Sequence, residues 1–253
     1  MKRFDVVTLF PEFFANIENF GITARAKKRG LWSLMTWNPR RATDDLHRTV
    51  DDRPFGGGPG MIMLAEPLAK TVDAIRASKT KPTRVISFAP NGKPLTDQRV
   101  RELVASDEDL ILICGRYEGI DRRFLQTYVD EVISIGDYVL SGGELAATIL
   151  MDAVIRQLPG AIKDLSSLDE SFATGLLDAP HYTRPEVWRG MAVPDVLLSG
   201  HHANITRYNR EESLRITLQT RPDLITIAYS SGQLSKKDLR FLRSIDPEFF
   251  VNK

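Results

Sequence analysis

The stretch from Leu110 to Leu150, LILICGRYEGIDRRFLQTYVDEVISIGDYVLSGGELAATIL, places the tightest limits on what this chain can fold into. Two short apolar runs, Leu110–Cys114 and Glu131–Ile135, are rich in β-branched residues and read as buried strands. Each breaks into a loop that begins with glycine, at Gly115 and at Gly136, and each loop opens a helix, with starts at Asp121 and at Gly143-Glu144. Strand, glycine loop and helix in that order predict a parallel α/β sheet whose ligand lies across the carboxyl ends of the strands. Glycines there let backbone N–H and C=O groups approach a ligand with no Cβ in the way. Neither G-x-G-x-x-G nor G-x-x-x-x-G-K-[ST] occurs in the stretch, and it holds no lysine to reach a phosphate. A neutral or cationic ligand held mainly by backbone groups fits better than a triphosphate.

With 253 residues the chain can hold one large domain or two moderate ones. Its 34 Lys+Arg nearly balance 33 Asp+Glu, so any RNA-binding surface must come from local clustering. The single Cys114 lies in an apolar strand, which excludes an internal disulfide framework and agrees with a reducing cytoplasm. No apolar run approaches the ~18–20 residues of a membrane span. The start, MKRFDVV, enters a strand directly without a secretory apolar region, so a cytoplasmic, membrane-free protein is expected.

Along the chain, Phe4–Leu9 and Leu31–Trp37 read as strands, with a helical segment after Pro11 between them. The run ARAKKRG ending at Gly30 is either a solvated helix end or a phosphate contact. Asp51 to Gly60, DDRPFGGGPG, is too rich in glycine and proline for an element interior and reads as a functional loop. Leu64, Leu68, Val72 and Ile75 recur at helical spacing. Arg84–Phe88 is a further strand, broken by Ala89-Pro90-Asn91-Gly92. Three strand-to-loop junctions, near Pro90, Gly115 and Gly136, are thereby expected on one edge of the sheet. Thr96 caps a helix carrying Val100, Leu103 and Val104 inward. The helix from Gly143 has Leu145, Ile149, Leu150 and Ala153 as its apolar positions and ends near Pro159-Gly160. The expected division is a first domain over 1–160, an interdomain linker over 161–175 that is disordered on its own, and a small, mostly helical domain over 176–253. That last part has 11 Lys+Arg against 9 Asp+Glu, so it is only slightly basic.

Five runs together carry a resemblance: CGRYEGID from Cys114, ISIGDYVLSGGE from Ile133, DDRPFGGGPGM from Asp51, SFAPNG from Ser87 and GLLDAPHYTRPEVWRG from Gly175. They closely resemble the tRNA (guanine-N1)-methyltransferases, the TrmD family of SPOUT enzymes, in order over nearly the whole chain. The resemblance implies a SPOUT-type parallel sheet tied into a deep trefoil knot, an exception to the rule against knots. It implies S-adenosylmethionine as methyl donor, bound by Pro90, Asn91 and Gly92, by Gly115, Tyr117 and Gly119, and by Ser134, Ile135, Gly136, Asp137, Tyr138, Val139, Leu140, Gly142 and Gly143. The substrate it implies is the anticodon stem-loop of tRNA, methylated at the guanosine 3′ of the anticodon (position 37) and contacted by Asp52, Glu118 and Arg184. A homodimer with shared active sites and a magnesium requirement are also implied, although no metal-ligand cluster is recognisable in the sequence.

Methylation of guanine N1 needs a base to take the N1 proton and a partner for the charge that accumulates on O6. A carboxylate serves the first and an arginine the second. In the resembled family the base is an aspartate just before a Ser-Phe pair; here Glu170 precedes Ser171-Phe172 and Asp169 lies one position earlier. Either carboxylate can be the base, and the family pattern maps the O6 partner onto Arg156. A non-catalytic RNA-binding relative would carry damaged cofactor loops, and these are intact. The GGGPGM loop and HYTRPEVWRG argue against a SPOUT enzyme acting on ribose or ribosomal RNA.

Overall fold

A computed structural model describes residues 1–162 and 170–249 and divides the chain into two compact units, Met1–Lys163 and Asp164–Lys253. The first unit begins with β1 (Lys2–Val7), a 3-10 turn at Pro11–Phe14, α1 (Ala15–Asn19), α2 (Gly21–Lys28) and β2 (Trp32–Trp37). A second 3-10 turn (Pro39–Ala42) leads to the two-residue strands β3 (Asp51–Asp52) and β4 (Ile62–Met63), then α3 (Ala65–Ala77) and β5 (Thr83–Pro94). Next come α4 (Asp97–Ala105), β6 (Asp109–Ile113), α5 (Arg122–Tyr128), β7 (Glu131–Ser134) and α6 (Glu144–Arg156).

Five of these strands form one sheet in the order β2-β1-β6-β5-β7, every neighbouring pair parallel. A parallel sheet is covered on both faces, which is why its strands read as continuous apolar runs. Period-two alternation assigns the faces. Phe4, Val6, Ile86, Leu110 and Leu112 pack with α2, α4 and α6, whereas Val7, Val85, Ile111 and Ile113 pack with α3 and α5. Thr96 caps α4, its hydroxyl accepting from the Arg99 N–H at 3.2 Å, and Asp121 caps α5 by accepting from the Arg123 N–H at 2.8 Å.

In the first unit three details differ from the sequence expectation. The segment Ala89–Gly92 does not end its strand: Phe88 and Lys93 both pair with Ile133, so the chain leaves β5 and returns to the same neighbour. Gly92 permits the return, since a Cβ there would stand 2.6 Å from the Ile133 carbonyl carbon. Spacing of apolar residues cannot reveal a strand that loops out and resumes. On α6, Leu150 is buried with Ala147, Met151, Val154 and Ile155, but Leu145 and Ile149 are 47% and 45% exposed on another face. The polar stretch before Met61 holds β3, which pairs with β4 just beyond it, and two-residue strands are too short to show periodicity. In ARAKKRG, Lys27 pairs with Glu18 and Arg29 donates to the Gly160 carbonyl at 2.7 Å, so two of its four cations are engaged within the protein.

The second unit is mainly helical: α7 (Asp195–Leu198), α8 (His202–Thr220), α9 (Pro222–Ser230) and α10 (Lys236–Ile245) follow a small antiparallel ribbon of β8 (Val187–Trp188) and β9 (Met191–Ala192). That ribbon interrupts a stretch expected to be helical. Its two-residue turn has Arg189 at φ 51° and Gly190 at φ 82°, the backbone of a turn whose twist matches paired strands. Leu176, Leu214, Ile225, Ala228, Leu234 and Leu242 form the core of this unit. Ser235 and Asp238 cap α10 reciprocally, and Arg210 pairs with Asp238 at 3.1 Å. The end of the expected linker is ordered. The Ala173 N–H donates to the Glu170 carbonyl at 3.1 Å, the Phe172 N–H to the Leu176 carbonyl at 2.7 Å, and the Asp178 N–H to the Ser171 hydroxyl at 3.0 Å.

Candidate active site

A cavity of about 540 Å³ opens where β5, β6 and β7 run out, within the range of small-molecule sites. Pro90 and Asn91 line it from the β5 excursion, Gly115, Tyr117, Glu118 and Gly119 from the loop after β6, and Ser134, Ile135 and Gly136 from the end of β7. Tyr138, Val139, Leu140, Gly142 and Gly143 complete this wall before α6. The three junctions expected on one edge therefore meet at a single concavity. Gly92 and Asp137 do not line it; Gly92 is turned against β7 instead.

The loop after β7 is fixed by its own polar groups. The Ser134 hydroxyl accepts from the Gly136 N–H at 3.2 Å and donates to the Gly136 carbonyl at 3.3 Å, while the Tyr138 hydroxyl donates to the Ile135 carbonyl at 3.0 Å. Gly136 sits at φ 145°, with the Tyr138 ring where a Cβ would go. The loop after β6 is held from behind. Arg116 Nε stands 2.9 Å from Glu144 Oε2, an ion pair whose geometry falls short of a hydrogen bond. The Arg116 Nη1 donates to the Ser141 carbonyl at 3.1 Å, and the guanidinium lies over the Phe10 ring at 4.4 Å. The other Glu144 oxygen accepts from the Thr8 hydroxyl at 2.9 Å. This buried carboxylate at the start of α6 thus joins β1 to both glycine loops. Sequence marks Glu144 only as part of a helix start and gives Thr8 and Arg116 no role, because their contacts join residues up to 136 positions apart.

Tyr117 takes φ 60°, and its hydroxyl is pushed above the usual tyrosine range, first by burial and then by its hydrogen bond to Asp51. It stays a neutral donor at physiological pH. Cys114, beneath the cavity, is fully buried, and burial pushes its thiol well up, so it is not a nucleophile. Among the described residues there is no group of three or more His, Cys, Asp or Glu that could hold a metal ion. No described helix is long and apolar enough to cross a membrane.

The other candidates lie on separate elements. Arg156 is the last residue of α6, and Glu170 opens the ordered turn of the second unit. Asp169 lies outside the described residues. Asp52 is in β3, its carboxylate accepting from the Arg53 N–H at 2.7 Å, and Arg184 is exposed before Pro185. Glu118, assigned to RNA contact from the resemblance, lines the cavity itself.

The closest backbone approach in the site is at Gly143, where a Cβ would stand 2.8 Å from Cys114 Cα and 2.9 Å from the Gly115 nitrogen. Neither neighbour is a side chain that can swing away. Gly143→Ala is expected to cost about 1–3 kcal/mol of stability by overpacking. A denaturation midpoint equal to the wild type's would show that the end of β6 and the start of α6 separate freely.

A family model described as "tRNA (Guanine-1)-methyltransferase TrmD" matches residues 1–227. Curated relatives named tRNA (guanine-N(1)-)-methyltransferase include one from Thiobacillus denitrificans, 59% identical over 227 residues that cover 88% of this chain and 96% of that protein. Another, from Ralstonia nicotianae, is 54% identical over 95% of this chain and 92% of its own length. One from Burkholderia cenocepacia is 53% identical over 97% and 95%. With the match spanning the glycine loops and most of the second unit, this chain belongs to the TrmD family of tRNA (guanine-1)-methyltransferases.

Proposed function

We propose that the protein transfers the methyl group of S-adenosylmethionine to N1 of the guanosine immediately 3′ of the anticodon, position 37, in tRNA. The observation that carries this is the meeting of three glycine-bearing loops at one cavity, in a chain of this family. The cofactor supplies an electrophilic methyl group. The protein supplies a site in which Gly115, Gly119, Gly136, Gly142 and Gly143 leave backbone groups open to a ligand beside apolar side chains such as Leu125, Ile135 and Leu140, a lining that suits the adenosine and thioether parts of the cofactor. The Ser134 hydroxyl and the Arg116–Glu144 pair hold these walls in place before the ligand arrives, which lowers the cost of binding. Glu170 or Asp169 takes the N1 proton, and Arg156 donates to O6 as negative charge gathers there.

The finer architecture belongs to the same reading. The sheet is a SPOUT-type sheet with a deep trefoil knot, a reading supported by the family match. Residues 1–160 bind the cofactor, 161–175 link, and 176–253 bind tRNA, with Asp52, Glu118 and Arg184 contacting the anticodon stem-loop. The protein works in the cytoplasm as a homodimer whose active sites draw on both subunits. Exposed Leu145 and Ile149, one turn apart on α6, support that association, as do Phe10 at 47% exposure and Val139 at 89%. Leu145→Glu combined with Ile149→Glu should yield monomers in sedimentation velocity together with loss of methyl transfer. A double variant that remains dimeric would remove α6 from the interface.

The deciding assay is tritiated methyl transfer to unmodified tRNA transcripts. Incorporation is expected with guanosine at position 37 and background counts with adenosine there. Equal incorporation into both transcripts would overturn the assignment of the target base.

A further inference from the structure

Part of the cavity wall comes from α5, which contributes Arg122, Leu125 and Gln126. Arg122 and Gln126 are four residues apart and so share a helix face. Three charged residues line the cavity: Arg116, Glu118 and Arg122. Arg116 is committed to Glu144, the Ser141 carbonyl and the Phe10 ring. The Arg122 side chain makes no hydrogen bond or ion pair among the described residues, and neither does the Gln126 side chain. The adjacent Arg123 behaves differently, pairing with Asp121 at 2.7 Å. A cation in the first turn of a helix gains nothing from the helix dipole, so local structure does not account for the choice of arginine at position 122.

The methyl donor of the proposed reaction bears one negative group, the α-carboxylate of its amino-acid end. Moving a carboxylate out of water is costly unless a partner replaces the lost hydration. A guanidinium is the strongest such partner, since its planar fork matches both carboxylate oxygens. Of the two lining arginines, only Arg122 is uncommitted.

We infer that Arg122, with the Gln126 amide beside it, binds the α-carboxylate of S-adenosylmethionine and thereby selects for the intact amino-acid end of the cofactor. This rests on the methyltransferase reading above and assigns it a specificity-determining residue. A phosphate of the RNA is the competing partner for the same guanidinium, but Arg122 lines the small-molecule cavity, which favours the cofactor.

Calorimetric titration of the full-length protein separates these cases, with S-adenosylmethionine and its decarboxylated analogue, which keeps the sulfonium and the amine, as probes. The wild type is expected to bind the decarboxylated compound about tenfold more weakly, the scale of one charge-assisted hydrogen bond. Arg122→Ala should weaken S-adenosylmethionine by about tenfold and leave the analogue unchanged. Arg122→Lys should recover part of the loss, and Gln126→Ala should lose less than Arg122→Ala. The affinity for unmodified tRNA should not move. Equal loss for both cofactor forms, no loss for either, or a loss confined to tRNA would each overturn the assignment. A wild type that binds neither cofactor form would overturn it together with the methyltransferase reading, a result distinct from the other three.

Discussion

Glu170→Gln is expected to lower the single-turnover rate of methyl transfer by about 10²–10⁴-fold, the range typical of a lost general base. The substitution keeps the size and hydrogen bonding of the side chain but removes its basic lone pair. Affinity for S-adenosylmethionine should be preserved, because the cavity is walled by residues of the first unit and Glu170 belongs to the second. Asp169→Asn is expected to be mild. Adjacent side chains in an extended segment point to opposite sides, and in a helical turn they lie ~100° apart, so both carboxylates do not reach one proton. Alignment to the Ser171-Phe172 pair favours Glu170, which opens a turn closed by the Ala173 N–H. Rates in the opposite order would move the base to Asp169. Near-wild-type rates in both variants would place it elsewhere.

Arg156→Ala is expected to reduce kcat by about 10²–10³-fold, the cost of removing one donor from a developing oxyanion. Arg156 ends α6, whose inward stripe of Ala147, Leu150, Met151, Val154 and Ile155 anchors it to the sheet. A cation at a helix carboxyl end also favours the folded state through the helix dipole. Arg156→Lys separates the two roles. Lysine satisfies the dipole and should restore the melting temperature, but it lacks the planar fork and should leave most of the rate defect in place. Rate and stability recovering together in Arg156→Lys would reduce Arg156 to a structural residue.

The parts legible in sequence are those governed by short-range physics. Leu110–Cys114 announced a strand buried on both faces, and β6 is buried at all five residues, Asp109 to Ile113. Of Leu64, Leu68, Val72 and Ile75, the last three are buried on one face of α3, whereas Leu64 is half-buried at the position before its first residue. Thr96 and Asp121 were readable as helix starts because a cap acts within three residues. The glycine loops were readable because few backbones other than a ligand-facing turn gather so many glycines after strands.

What the sequence determined by itself is therefore the alternation of strand, glycine loop and helix, and the long motifs that carry the family resemblance. Tertiary structure alone decided the rest. It made Ala89–Gly92 an excursion from β5, because the return depends on Gly92 meeting the backbone of Ile133. It turned Leu145 and Ile149 outward on α6, because the sheet lies along Leu150, Met151 and Val154. It joined Thr8, Arg116 and Glu144 into one support for the loops, and set Arg122 on the cavity wall while Arg123 stayed with Asp121. Each of these depends on which distant segments come to lie side by side, and the periodicity of a single segment carries no information about its neighbours in space.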